Sequence, residues 1–165
     1  MSEDVTEASP IAVDMAASNR LPARGEELIR LVTRVEFALK EIGYGRSGMN
    51  GAVEVNWSEF ANNGLREEFF NKIRDRAIAP TLLARPPSKQ ILNGNALGWE
   101  VGTPPTSVQD LLGNVCRVRN NLVHGGKSGD IDSDRNDDLV SDAIEVLTEA
   151  LRTHDDFRAR FEEKY

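Results

Sequence analysis

The residues best suited to chemistry lie together in one run, Arg117-Val118-Arg119-Asn120-Asn121-Leu122-Val123-His124-Gly125-Gly126-Lys127. Histidine exchanges protons near neutral pH, so His124 is the candidate general acid or base. Arginine offers a planar fork of donors that fits a phosphate, which makes Arg119 the candidate phosphate clamp. Asn120 and His124 are four residues apart, one above the other on a helix, so the amide can orient the ring. Lys127, Arg117 and Asn121 would add contacts to an anionic substrate. At 100° per residue Arg119 falls between Val115 and Leu122, on or beside an apolar stripe, where a guanidinium needs a carboxylate, a carbonyl or a ligand phosphate. A plainer account stands beside this one. In it Arg119 pairs with a core acid such as Glu36, His124 is a polar helix end, and the asparagines are end-of-helix residues.

The elements that must position this run are legible as periodicity. Val108, Leu111, Leu112, Val115, Val118 and Leu122 recur at helical spacing, and Thr106 with Gln109 three residues on forms a capping box that starts the helix. Gly125 and Gly126 stop it, which puts His124 on its last turn. Upstream, Leu28, Leu31, Val32, Val35, Leu39 and Ile42 define a first helix over 26–42, ended by Gly43 and Gly45. Ala52-Val53-Glu54-Val55 fits a short strand but reads more readily as a connector. Trp57, Phe60, Leu65, Phe69 and Ile73 mark a second helix through Ala77, interrupted near Asn62-Asn63-Gly64 and closed by Pro80.

Residues 79–105 hold five prolines and Asn93-Gly94; they form a long loop or a small hairpin, with the hairpin turning at Asn93-Gly94 preferred. A fourth helix runs from Asp137 to Thr153 on Leu139, Val140, Ala143, Ile144, Leu147, Ala150 and Leu151, and Phe157 and Phe161 mark a short closing helix. The expected fold class is all-α, an up-and-down four-helix bundle with that extra C-terminal helix. Residues 1–24 read as a flexible N-terminal arm and 25–165 as one helical domain.

Composition narrows the function classes. One cysteine, Cys116, makes no internal disulfide, and one cysteine with two histidines makes no ordinary closed zinc site, so neither metal nor cofactor is expected. No stretch reaches the roughly 20 apolar residues that span a bilayer, and a cytoplasmic protein without a membrane partner is expected. The net charge of -7 speaks against nucleic acid as a partner, but its distribution does not. Residues 1–25 carry -2 (two basic, four acidic), 26–127 carry +2 (13 basic, 11 acidic) and 128–165 carry -7 (five basic, 12 acidic). A locally basic face near 117–127 is compatible with RNA.

Arg119-Asn120, three further residues and His124, at the end of the third helix, resemble the signature of the HEPN superfamily. The longer run through Gly125-Gly126-Lys127, with Trp57-Ser58-Glu59-Phe60-Ala61 upstream and Arg135 before the last helix, is similar to small stand-alone bacterial HEPN proteins, including plasmid-borne ones. The likeness spans roughly residues 26–155. It implies a HEPN-type bundle and a homodimer whose third helices meet, so that the arginine and histidine of both chains share one cleft. It further implies a metal-independent endoribonuclease that leaves cyclic phosphate ends, with His124 as general acid or base, Arg119 stabilising phosphoryl charge, and Asn120 following the arginine. A toxin-antitoxin or antiphage role, with a cognate antitoxin or regulatory partner, goes with that resemblance. The alternative is a non-catalytic helical dimerisation or RNA/nucleotide-binding module.

Other residues with chemical potential are assigned structural roles. Cys116 packs, His154 closes the last long helix in register with Leu147 and Leu151, and Trp57 and Trp99 belong to the core more readily than to a stacking platform. Asp130, Asp132 and Asp134 mimic the start of a calcium loop, but its glycine and closing glutamate are missing.

Overall fold

In a computed structural model of the chain, residues 11–124 and 132–164 are described. The first long helix, α1 (Gly25–Glu41), buries Leu28, Val32, Val35, Ala38 and Leu39 on one stripe, with Glu26 and Glu27 in its first turn and Lys40 in its last, where each charge complements the helix dipole. It closes through Gly43, at φ +98°. The Tyr44 amide donates to the Leu39 carbonyl at 2.9 Å and that of Gly43 to Lys40 at 3.3 Å, a Schellman-type end. The preceding residues 11–24 are exposed apart from Pro22 and hold one short 3-10 turn, Ala16–Asn19.

The expectation of an all-α bundle is overturned, because two antiparallel two-stranded sheets interrupt the helices. The strands β1 (Gly45–Ser47) and β2 (Val53–Val55) pair with Gly45 opposite Val55. The stretch read as a connector is therefore half of a hairpin. Three residues per strand are too few for alternation to register in sequence. The second hairpin, β3 (Lys89–Asn93) and β4 (Ala96–Glu100), pairs Lys89 with Glu100 and Asn93 with Ala96, so Gly94 and Asn95 make the turn, with Gly94 at φ +61°. One hairpin face carries Leu92, Leu97 and Trp99, all exposed.

The expected second helix is also not one element. Asn56 caps α2 (Trp57–Glu59) by accepting from the Glu59 amide at 3.2 Å. The chain then widens into a π-helical stretch, Phe60–Leu65, that ends where Arg66 takes φ +65° and ψ 177°. Helix α3 (Arg66–Asp75) follows, buries Phe69, Phe70 and Ile73, and stops short of Ala77. Pro80 opens a short helix, α4 (Pro80–Ala84), where its missing N–H costs nothing.

Helix α5 (Val108–His124) and helix α6 (Ser133–Thr153) pack on α1, and α7 (Asp155–Phe161) closes over α1 and α6. The start of α5 lies one residue later than the Thr106 capping box implies. Ser107 Oγ accepts from the Asp110 amide at 3.1 Å, the Asp110 carboxylate reaches back to Thr106 at 3.0 Å, and Gln109 donates to Ser58 at 3.0 Å. Helix α6 starts at Ser133, four residues before the expected Asp137, because Asp132 caps it through the Arg135 amide at 3.3 Å. Among the described residues no helix is long and apolar enough to cross a membrane.

Candidate functional site

Helix α5 brings Arg117, Asn120, Asn121 and His124 to one wall of a 360 Å³ cleft whose other wall is the foot of the β3–β4 hairpin, with Lys89 and Gln90. His124 and Asn120 are exposed, and neither side chain has a hydrogen-bond or ion-pair partner among the described residues. The same holds for Arg117 and Lys89. Two cations with no ion pair among the described residues thus face a cleft that also holds the imidazole. Lys127, Gly125 and Gly126 lie outside the described residues.

Asn121 is used differently from its expected role on the substrate. It is 7% exposed, and its Nδ2 donates to the Ser88 carbonyl at 2.8 Å. Arg135 does related work, donating to the carbonyls of Arg85 at 3.2 Å and Pro86 at 2.6 Å. These two side chains fix the segment leading into β3 and so place Lys89 against α5.

Arg119 faces away from this cleft. Five residues of α-helix separate it from His124, a rotation of about 140°, and it points toward α1, where its Nη2 lies 3.0 Å from Glu36 Oε1. Pairing with Glu36 was the alternative open from the sequence, and it is the arrangement in the single chain. The pair is incomplete: both side chains keep more than a quarter of their surface exposed, and Arg119 Nε is buried with no hydrogen-bond partner. One chain therefore presents His124 and Asn120 on one face of α5 and Arg119 on another.

Cys116 sits between these faces. Burial pushes its thiol up to about 11, although Arg119 nearby pulls it down, so it stays protonated near neutral pH and is no nucleophile. His154 caps α7, its Nδ1 accepting from the Phe157 amide at 3.2 Å, with its ring edge-on to Tyr44 and Phe157. Asp132 and Asp134 belong to the start of α6, and Asp130 lies outside the described residues.

A second cleft, 540 Å³, continues along α5 from the first. It shares Lys89, Gly113 and Arg117 with it and ends at Trp57, Ser58, Gln109 and Asn114. Sequence reasoning missed Lys89, Gly113 and Asn114. Lys89 comes to α5 through a hairpin whose docking depends on contacts remote in sequence, and Gly113 inside a helical stripe carries no positive signal. No family model, no curated protein and no solved structure matches the chain.

Proposed function

We propose that this chain is a metal-independent endoribonuclease working at the His124 end of α5. The observation that carries the reading is the cleft itself: an exposed histidine and asparagine beside two cations, Arg117 on the same helix and Lys89 on the facing hairpin, none of the four with a hydrogen-bond or ion-pair partner among the described residues. The HEPN-like run Arg119-Asn120 to His124 supports it from the sequence. In the proposed reaction the ribose 2′-hydroxyl attacks the adjacent phosphorus and loses its proton to a base. The bond from phosphorus to the 5′-oxygen breaks and that oxygen is protonated, leaving a 2′,3′-cyclic phosphate and a 5′-hydroxyl.

His124 moves one of those protons, Asn120, which makes no hydrogen bond to His124 in the RNA-free chain, turns to hold the imidazole when RNA binds, and a guanidinium stabilises the charge that builds on the phosphoryl oxygens. Because Arg119 points away from His124 of its own chain, the reading takes the guanidinium from a second copy, in a homodimer that joins the α5 ends. Glu36 then holds Arg119 in place until a phosphate competes for it. A cytoplasmic defence role, silenced by a cognate antitoxin, is the setting proposed with this activity.

A second reading has its own support. The 3.0 Å Arg119–Glu36 pair is what a non-catalytic helical dimerisation or RNA/nucleotide-binding module would have. The experiment that separates the two is cleavage of single-stranded RNA in EDTA with chemical identification of the new ends. Cyclic phosphate ends are expected with the wild-type chain. Loss of a general acid or base lowers such a rate by about 10²–10⁴-fold, so His124→Ala and Arg119→Ala each reduce cleavage by about 10²-fold or more while the protein stays folded. Cleavage unchanged by His124→Ala sinks the reading, and a folded protein that binds but never cuts RNA establishes the binding module.

A further inference from the structure

We propose that the two clefts along α5 form one groove for single-stranded RNA, in which the strand leaves His124, passes over Gly113 and sets a base against Trp57. The proposal rests on the ribonuclease reading for what happens at His124, and on its own observations for the groove.

Continuity comes first. Lys89, Gly113 and Arg117 line both clefts, so the space beside His124 and the space beside Trp57 are one channel. Its floor from Gln109 to His124 is a single helical face about 22 Å long at 1.5 Å per residue. Lys89 from the hairpin and Arg117 from α5 stand at the junction, both without ion pairs among the described residues. A phosphate there would be met from two sides.

The glycine is the second observation. Gly113 sits in the sixth position of a 17-residue helix, where glycine is disfavoured, and a Cβ built on it meets nothing within 4 Å. No neighbour requires the missing side chain. What the glycine leaves clear is the channel, at the point where the two clefts join.

The Trp57 end has a different chemistry. Glu100 and Asp110 line it, and hydrogen bonds from the Thr106 amide and hydroxyl hold the Asp110 carboxyl below its usual value, so it is charged. That end repels phosphate and suits a base. Trp57, half-buried, offers a ring for stacking. Asn114 is 5% exposed, lines the same end, and its Nδ2 is buried without a partner. Gln109 spends its amide nitrogen on Ser58, which leaves its carbonyl oxygen as an acceptor. An edge with donors and acceptors beside an indole recognises a base splayed from its strand, which is the state of single-stranded and not duplex RNA.

The test is equilibrium binding of a fluorescent single-stranded 2′-O-methyl RNA, whose blocked hydroxyl prevents cleavage, followed by anisotropy with the wild-type chain. Two variants probe the groove: Gly113→Met, whose Cβ meets nothing within 4 Å and whose side chain enters the channel, and Lys89→Ala with Arg117→Ala. Both should weaken binding at least tenfold while melting no earlier than wild type. With two phosphate contacts the logarithm of the affinity should fall with the logarithm of salt at a slope of about -1.4, and the double variant should flatten it. Binding within twofold of wild type in both variants overturns the groove, as does tighter binding to the duplex form of the same RNA. The nuclease reading fails separately: groove-dependent binding without cleavage of ordinary RNA removes the nuclease and keeps the groove, while His124-dependent cleavage unaffected by Gly113→Met does the reverse.

Discussion

Helices α5 and α6 pack in the same core and both carry polar groups on half-buried faces, but they use them in opposite ways. On α6 the two buried acids are committed. Asp142 accepts from the Thr81 and Leu82 amides at 2.7 and 2.9 Å and so caps α4, while Glu149 pairs with Lys72 and with Arg152 at 3.2 Å. Arg135 holds the carbonyls before β3. On α5, Arg117, Asn120 and His124 have no partner among the described residues, Asn114 Nδ2 and Arg119 Nε are buried and unmatched, and Gly113 leaves a channel open. The two buried, unmatched nitrogens cost stability and the exposed side chains add none, so a helix that collects both serves something other than folding. The same contrast applies to the histidines: His154 is a cap, and the His124 side chain has no partner among the described residues.

The largest effect expected from breaking this contrast is at Asp142. Asp142→Ala orphans two backbone amides at the start of α4 and should cost about 2–3 kcal/mol, read as a lower midpoint in urea with unchanged slope. Asp142→Asn keeps an acceptor oxygen and should cost clearly less. Equal losses in the two variants would mean that Asp142 does not act as a cap.

Glu149 sharpens the same side of the comparison through pH. Burial alone would raise its carboxyl, but hydrogen bonds and charge from Lys72 and Arg152 outweigh it and hold the group below its usual 4.5. A lowered folded value means that its contribution is present above pH 4.5 and is lost as pH falls through that folded value. Glu149→Gln should therefore be less stable than wild type at pH 7, by about 1–2 kcal/mol since Lys72 and Arg152 are partly in water, and the difference should close in acid. Asp142 runs the other way. Burial, first among its causes, raises its carboxyl above 3.8 against the two amide bonds, so its contribution is fullest below pH 3.8 and declines as pH rises through the folded value. A gap for Glu149→Gln that persists unchanged into acid would contradict the pairing.

How much of this was legible in the sequence follows from which interactions are local. The stripes of α1, α5 and α6 are regular over four or more turns, and periodicity found them. Thr106 and Gln109 marked the start of α5 to within a residue, since capping is decided among neighbours, although the side chains that cap it are those of Ser107 and Asp110. The break in the second helix was visible at Asn62-Asn63-Gly64, but not its π-helical form or the turn at Arg66, which depend on what the segment packs against. β1 and β2 were missed because three residues carry no pattern. The hairpin turn was one residue off, at Gly94-Asn95. Arg117, Asn120 and His124, named from residue type and spacing, line one cleft, and Glu36 was the acid named as the alternative partner of Arg119. Asn121 was assigned to substrate, whereas its amide holds Ser88. Lys89 reaches α5 only through the tertiary placement of a hairpin, and nothing near it in sequence announces that.

The smallest effects should come from the groove side chains, and that smallness is the sharpest test of the contrast. Lys89, Asn120 and His124 are exposed, Arg117 is half-buried, and none of the four has a partner among the described residues to lose. Truncation removes solvated atoms and leaves no orphaned group behind. On α5 it also replaces Asn120 and His124 with the best helix former. Each single alanine variant should therefore fall within about 0.5 kcal/mol of wild type, measured by urea denaturation at pH 7 on protein free of RNA. A neutral result at all four positions, beside the loss at Asp142, says that α6 spends Asp142 on the fold and that the side chains lining the cleft are not spent on it. A loss above about 1.5 kcal/mol at His124 or Arg117 would place that side chain in a structural contact, and would return the α5 run to the plainer account of a polar helix end.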